Sequence, residues 1–168
     1  KHTLIAGNSA GGEGGGLYVF GQSAVNVTQC TLVDNNAGEV RTGAIGCGNG
    51  AEITLNSNIV WNSGGIPAPD TCHVTYTAIE PGYPGEGNAA ADPLFVNAAA
   101  GDYRLGSGSP CINTADPALP ADPDGTRADM GAYAYVNPSA ELILPQVIAH
   151  AGTTVPFPIT ARVADAFG

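Results

Sequence analysis

Three stretches of the chain can be written one above another without a gap: Thr3-Leu4-Ile5-Ala6-Gly7-Asn8-Ser9-Ala10-Gly11, Cys30-Thr31-Leu32-Val33-Asp34-Asn35-Asn36-Ala37-Gly38, and Ser57-Asn58-Ile59-Val60-Trp61-Asn62-Ser63-Gly64-Gly65. Asn8, Asn35 and Asn62 fall 27 residues apart, and Ile5, Leu32 and Ile59 keep that interval. Gly16-Leu17-Tyr18 over Gly43-Ala44-Ile45 repeats it in a second column. A period in the twenties, built of short apolar runs punctuated by Asn and Gly, calls for layers that each bury their apolar face on the next. Leucine-rich repeats share the length, but their Leu-x-x-Leu-x-Leu ladder is absent. Val25-Asn26-Val27-Thr28 and Ile53-Thr54-Leu55-Asn56 instead alternate apolar and polar residues, the pattern of a strand with one buried face. These two runs lie 28 apart, so one residue of drift must be absorbed just before the Asn column.

The column Asn8, Asn35, Asn62 suits a tight corner between strands. Asn tolerates a left-handed backbone there, and its amide can bond to the amide one layer away. Gly14-Gly15-Gly16 and Gly46-Cys47-Gly48-Asn49-Gly50 suit other corners. Neither is followed by a Lys or a helix, so a phosphate loop is disfavoured. With Asn8-Ser9-Ala10 followed by Gly14-Gly15-Gly16-Leu17-Tyr18, the chain resembles the right-handed parallel β-helix proteins of the pectate-lyase-like superfamily, known from bacterial and archaeal surfaces. The expected fold is all-β: a right-handed parallel β-helix, or solenoid, over residues 1–80, with a C-terminal cap and a short two-strand extension.

Residues 86–135 carry a second set of phrases: Glu86-Gly87-Asn88, Ala91-Asp92-Pro93-Leu94-Phe95-Val96, Gly101-Asp102-Tyr103-Arg104-Leu105, Ser107-Gly108-Ser109-Pro110-Cys111-Ile112 and Asp129-Met130-Gly131-Ala132-Tyr133. Their order resembles the closing segment of such proteins, the choice-of-anchor type. The resemblance implies that residues 81–136 cap the open edge of the stack, where unpaired N–H and C=O groups need cover. In that family pattern a Glu follows the Gly-Ala-Tyr phrase, whereas Ala134 follows Tyr133 here. Residues 137–168 read as two strands joined by a Gly turn, around Leu142-Ile143-Leu144 and Val155, Phe157 and Ile159. They resemble the opening of an immunoglobulin-like domain. Alternatively, they could pair with the exposed edge of a neighbouring copy, building a filament by strand addition.

Five Lys and Arg against fifteen Asp and Glu give a net charge of −10, which repels nucleic acid and anionic membrane surfaces. Neutral glycans or a second copy of the chain are the expected partners. No run is apolar enough to span a bilayer, and the N-terminus lacks the pattern of a signal peptide; an excised or processed piece of an extracellular protein is expected. Cys30, Cys47, Cys72 and Cys111 contain no CxxC pair, which leaves disulfides or buried thiols, with the pairing open.

Polysaccharide lyases on the resembling fold use a base beside calcium-holding acids, and the hydrolases use clustered carboxylates. Residues 1–65 offer only Glu13, Asp34, Glu39, Arg41 and Glu52 beyond Lys1, in different columns. We therefore expect no catalytic residues and no enzyme activity. The function expected is a structural module of a secreted or cell-surface protein serving adhesion, display or end-to-end assembly. The alternative is a fragment of a polysaccharide-binding or polysaccharide-cleaving enzyme. Tyr18, Trp61 and Tyr76 are candidate glycan contacts. No cofactor is expected, calcium at Asp122, Asp124 and Asp129 being the one candidate, since close carboxylates beside a Gly turn supply hard oxygen ligands.

Overall fold

In the computed structural model the described residues are 1–38, 43–64 and 72–137. Residues 139–168 belong to a second unit outside these, and with them Leu142, Ile143, Leu144, Val155, Phe157 and Ile159. The alternating runs form strands with one face inside. In β4 (Ala24–Thr28) and β8 (Glu52–Asn56), Val27, Ile53 and Leu55 are buried while Asn26 and Thr54 face solvent. Ahead of β4 come β1 (Leu4–Ala6), β2 (Ser9–Ala10) and β3 (Leu17–Phe20); β5 (Thr31–Val33), β6 (Asn36–Ala37) and β7 (Ile45–Gly48) lead to β8. Then follow β9 (Ile59–Trp61), β10 (Cys72–Thr75), β11 (Ala78–Ile79), β12 (Phe95–Asn97) and β13 (Asp102–Leu105). The described residues are all-β, broken only by a short 3-10 turn at Ala98–Ala100.

Each recurrence of the repeat lays its strands parallel on those of the one before. The sheets run β1-β5-β9-β11, β4-β8-β10, β3-β7 and β2-β6, every pair parallel. We call the recurrences tiers: 3–29, 30–57, 58–76, and a fourth beginning at 77. Leu32, Ile45, Ile53, Leu55, Val60 and Ile79 fill the space between the sheets and are at most 1% exposed. Each such side chain contributes about 1.5–3 kcal/mol by leaving water.

The register departs from the ungapped alignment. Leu4↔Thr31 and Ser9↔Asn36 keep 27 residues, but Leu17↔Ile45, Val25↔Ile53 and Leu32↔Val60 are separated by 28. The extra residue enters between Ala37 and Ile45 and is not given back before the Asn column. Val60, not Ile59, therefore continues the inner row begun by Ile5 and Leu32, and Ile59 faces outward beside Thr31.

Two columns of left-handed residues mark where the tiers turn. One is Gly7, Asp34 and Asn62; the other is His2, Gln29, Ser57 and Tyr76, with φ between 48° and 67° throughout. A non-glycine residue pays about 1–2 kcal/mol for this conformation, so the bonds at these corners must hold it. One pattern does so three times. Asn35 Oδ1 accepts from Asn8 N and its Nδ2 donates to Ile5 O; Asn58 does the same with Cys30 N and Val27 O, and Asn88 with Thr77 N and Val74 O. Each amide spans the left-handed residue of an adjacent tier. Asn35 and Asn58 are buried, and their own N–H groups donate to Ser63 Oγ and Thr77 Oγ1.

The segment expected as a cap divides into two. At the outer edge of β11, Ile79 N donates to Ala89 O, Ala89 N to Thr77 O, and Tyr76 N to Glu86 O, so residues 86–89 bond along that edge. The antiparallel pair β12-β13 and the loops to residue 135 instead lie on the outer face of the β1-β5-β9-β11 sheet. Met130, Cys111, Leu105, Ala115 and Ala128 close a second core over Ile59 and Ala78, while Ala132 N donates to Thr31 Oγ1 and Gly131 N to Ser57 O. That segment leaves the central strands β5 and β9 covered on both faces.

Candidate functional site

The Asp34 corner carries a polar concavity. Because Asp34 pairs with Asn62, the Asn62 Nδ2 donates to Asp34 Oδ1, while Asn62 N donates to Glu80 Oε2 in the tier beyond. Tyr103 reaches in from β13 and donates its hydroxyl to Asp34 Oδ2 at 2.8 Å, which raises the tyrosine's pKa because the proton is held against a carboxylate. An open cleft of about 550 Å³ results, lined by Asp34, Asn36, Asn62, Ser63 and Glu80 among others. It presents two carboxylates and several amides, groups that hydrogen-bond hydroxyls and repel anions.

The expected ladder Asn8, Asn35, Asn62 is half formed. Asn8 Nδ2 donates to Asn35 Oδ1 at 2.9 Å, but Asn62 sits under Asp34, and Ser63 takes the place beneath Asn35. The one-residue register shift is the cause. Asn58 and Asn88, which do the same work as Asn35, were not singled out in the sequence because they lie outside the Asn column.

Tyr18, Trp61 and Tyr76 do not share a surface. Tyr18 points outward from β3, its ring lying over Gly46 and Gly48, and stacks at 6.3 Å with Phe20, which is 64% exposed. A Cβ at Gly48 would meet the Tyr18 hydroxyl at 2.3 Å, so the two glycines form a floor for the ring. Trp61 pairs with Val33 and packs, with Tyr76, into the outer core under the C-terminal segment. The Tyr76 hydroxyl donates to Glu86 Oε1, and the Arg127 guanidinium lies 5.6 Å from its ring centre. Phe20 is the aromatic that sequence reading missed. Its alternation with Tyr18 across Val19 was the available signal.

Asp122, Asp124 and Asp129 each hold backbone. Asp129 accepts from Asn113 N and Tyr135 N, Asp122 accepts from Asp129 N, and Asp124 accepts from Thr126 N and Oγ1. Among the described residues no three His, Cys, Asp or Glu side chains come together in a way that could hold a metal ion. Burial pushes the Asp129 and Asp122 carboxyls up, whereas its bonds to Thr126 draw Asp124 down. A raised folded value means stability that is full below the ordinary carboxylate range and lost as pH rises through the folded value. Asp122→Asn keeps an acceptor for Asp129 N and removes that loss. It should raise the unfolding free energy slightly at neutral pH, by under about 1 kcal/mol, with no gain in acid. Calorimetry across that range checks the sign.

All four cysteines are thiols, Cys30 and Cys72 in the inner core and Cys111 in the outer one, with Cys47 partly exposed. Among the described residues no helix is long and apolar enough to cross a membrane. No family model, curated protein or solved structure matches the chain.

Proposed function

We propose that the chain is a non-catalytic module of a secreted or cell-surface protein, built as a right-handed parallel β-helix that serves as a rigid support for adhesion, display or assembly. The observation that carries this reading is the repeated amide bridge of Asn35, Asn58 and Asn88, which ties each tier to its neighbour through buried or part-buried bonds. Such bonds fix the spacing and rotation between tiers and favour stiffness along the stack. The carboxylates of the Asp34 corner are engaged by Asn62 and Tyr103, an arrangement suited to positioning rather than proton transfer. The test is an assay of the full chain on neutral and acidic polysaccharides, with and without calcium, alongside surface labelling of the cells that make it. Surface exposure without release of sugar ends is expected. Cleavage of any of these polymers would overturn the reading in favour of an enzyme.

End-to-end assembly is favoured by one feature. Among the described residues β1, β3 and β4 are each paired on one side only, and Ile5, Leu17 and Val25 are half-buried there. A strand from another copy, or from chain preceding residue 1, could add to that edge. The apparent mass from light scattering should then rise with concentration, and a constant mass would count against assembly.

Binding of neutral glycans is favoured by the Tyr18–Phe20 pair, a flat exposed aromatic surface on an acidic protein. The double substitution Tyr18→Ala, Phe20→Ala should leave the melting temperature within about 2 °C, the two rings being exposed. It should abolish retention in a gel containing a neutral polysaccharide. Equal retention of both proteins would remove this reading.

A further inference from the structure

The corner between β7 and β8 brings two distant cysteines together. Cys47 lies opposite Val19 in β7, on the inward side of that strand, while Tyr18 and Phe20 face out. Asn49 and Gly50, both with positive φ, then turn the chain into β8, where Ile53 is fully buried and pairs directly with Cys72 of β10. Cys72 therefore lies in the inner core with Cys47 packed against that core from the adjacent tier, and the two thiols are near enough for each to shift the other's ionisation. Cys30 has its Sγ directed to Thr28 O, and Cys111 lies in the outer core beside Ser109, so neither shares this site.

We infer that Cys47 and Cys72 are a disulfide-forming pair that staples the second tier to the third. Neighbouring thiols packed on one core reach bonding distance through side-chain rotation and a small backbone adjustment. The staple forms by thiol–disulfide exchange with a small disulfide such as oxidised glutathione. The Cys47 thiolate attacks it, releasing one reduced glutathione, and the Cys72 thiolate then attacks the mixed disulfide at the Cys47 sulfur, releasing the second. Two protons leave the protein, its two sulfurs are oxidised, and the glutathione disulfide is reduced to two thiols. Cys47 is the entry point because it is partly exposed, whereas Cys72 is 2% exposed. Burial raises both thiols, Cys72 to about 12, so the exchange accelerates as pH is raised.

The experiment treats the full chain with oxidised glutathione at mildly alkaline pH, traps remaining thiols by alkylation in denaturant, and maps the peptides by mass spectrometry. The expected result is one cross-linked pair carrying Cys47 and Cys72, with Cys30 and Cys111 alkylated, and a melting temperature roughly 5–10 °C above that of the reduced protein. Cys47→Ser should lose the cross-link and the oxidation-dependent rise together. The inference is overturned if Cys47 and Cys72 are both alkylated after oxidation, if Cys47 ends as a stable glutathione adduct, or if either is found joined to Cys30 or Cys111. The wild-type map decides the matter even where the serine variant does not fold.

Discussion

Replacing Asn58 by alanine should destabilise the protein by about 2–4 kcal/mol, because it strips partners from two buried backbone groups at once. The Asn58 side chain is fully buried; its Oδ1 takes Cys30 N at 2.9 Å and its Nδ2 gives to Val27 O at 2.9 Å. No water can reach either group without opening the stack. Asn58→Asp should be at least as harmful, since it keeps the acceptor, loses the donor to Val27 O and buries a charge. Asn62→Gly should change stability by less than about 1 kcal/mol, because Asn62 is exposed and its φ of 48° suits glycine. Urea titration checks all three, as a shift of midpoint at unchanged slope. A large loss at Asn62 with none at Asn58 would mean that the polar ladder follows the sequence repeat and not the observed register.

Substituting Gly43 should be harsher still. A Cβ there would lie 1.8 Å from the carbonyl oxygen of Ser63 in the next tier and 2.9 Å from that of Asn35 in its own, and both contacts are backbone. No rotamer change relieves a clash with main chain. Gly43→Ala should therefore cost about 3 kcal/mol or more and force the second and third tiers apart locally. Gly12→Ala, whose Cβ would meet nothing within 4 Å, should stay within about 0.5 kcal/mol. Thermal unfolding of the two variants beside the parent protein separates close backbone approach from the general effect of removing a glycine.

Much of this architecture was legible in the sequence. The spacing of Ile5 and Leu32 set the first pairing, and the alternation in Val25-Asn26-Val27-Thr28 and Ile53-Thr54-Leu55-Asn56 set the next, at 28. What misled was the third phrase. Ile59 and Val60 are both apolar, so period and polarity could not say which of them faces inward. The deciding contact comes from far along the chain, where Met130 and Gly131 cover the outer face and make an outward Ile59 favourable. Once Leu32 pairs with Val60, Asn62 must fall beneath Asp34. The Asp34 cleft was hidden for the same reason: Glu80 belongs to a tier reached after 19 residues, Ile59↔Ala78, not after another 27. Asn58 and Asn88 gave no columnar signal because the three bridging amides sit at two different corners. Trp61 and Tyr76 read equally well as exposed or as covered, and only the placement of residues 92–135 chose between the two.

The stacked register is tested most directly by nuclear Overhauser contacts between backbone amides of a uniformly labelled sample. Parallel pairing places the amide protons of Leu32 and Val60, and those of Leu55 and Val74, on adjacent strands at the same height. Cross-peaks connecting these strands in that register, without the close Hα–Hα contacts of antiparallel pairs, are the expected result. A Leu32–Ile59 register, or antiparallel Hα–Hα contacts between β8 and its neighbours, would contradict the parallel stack on which the proposed function rests.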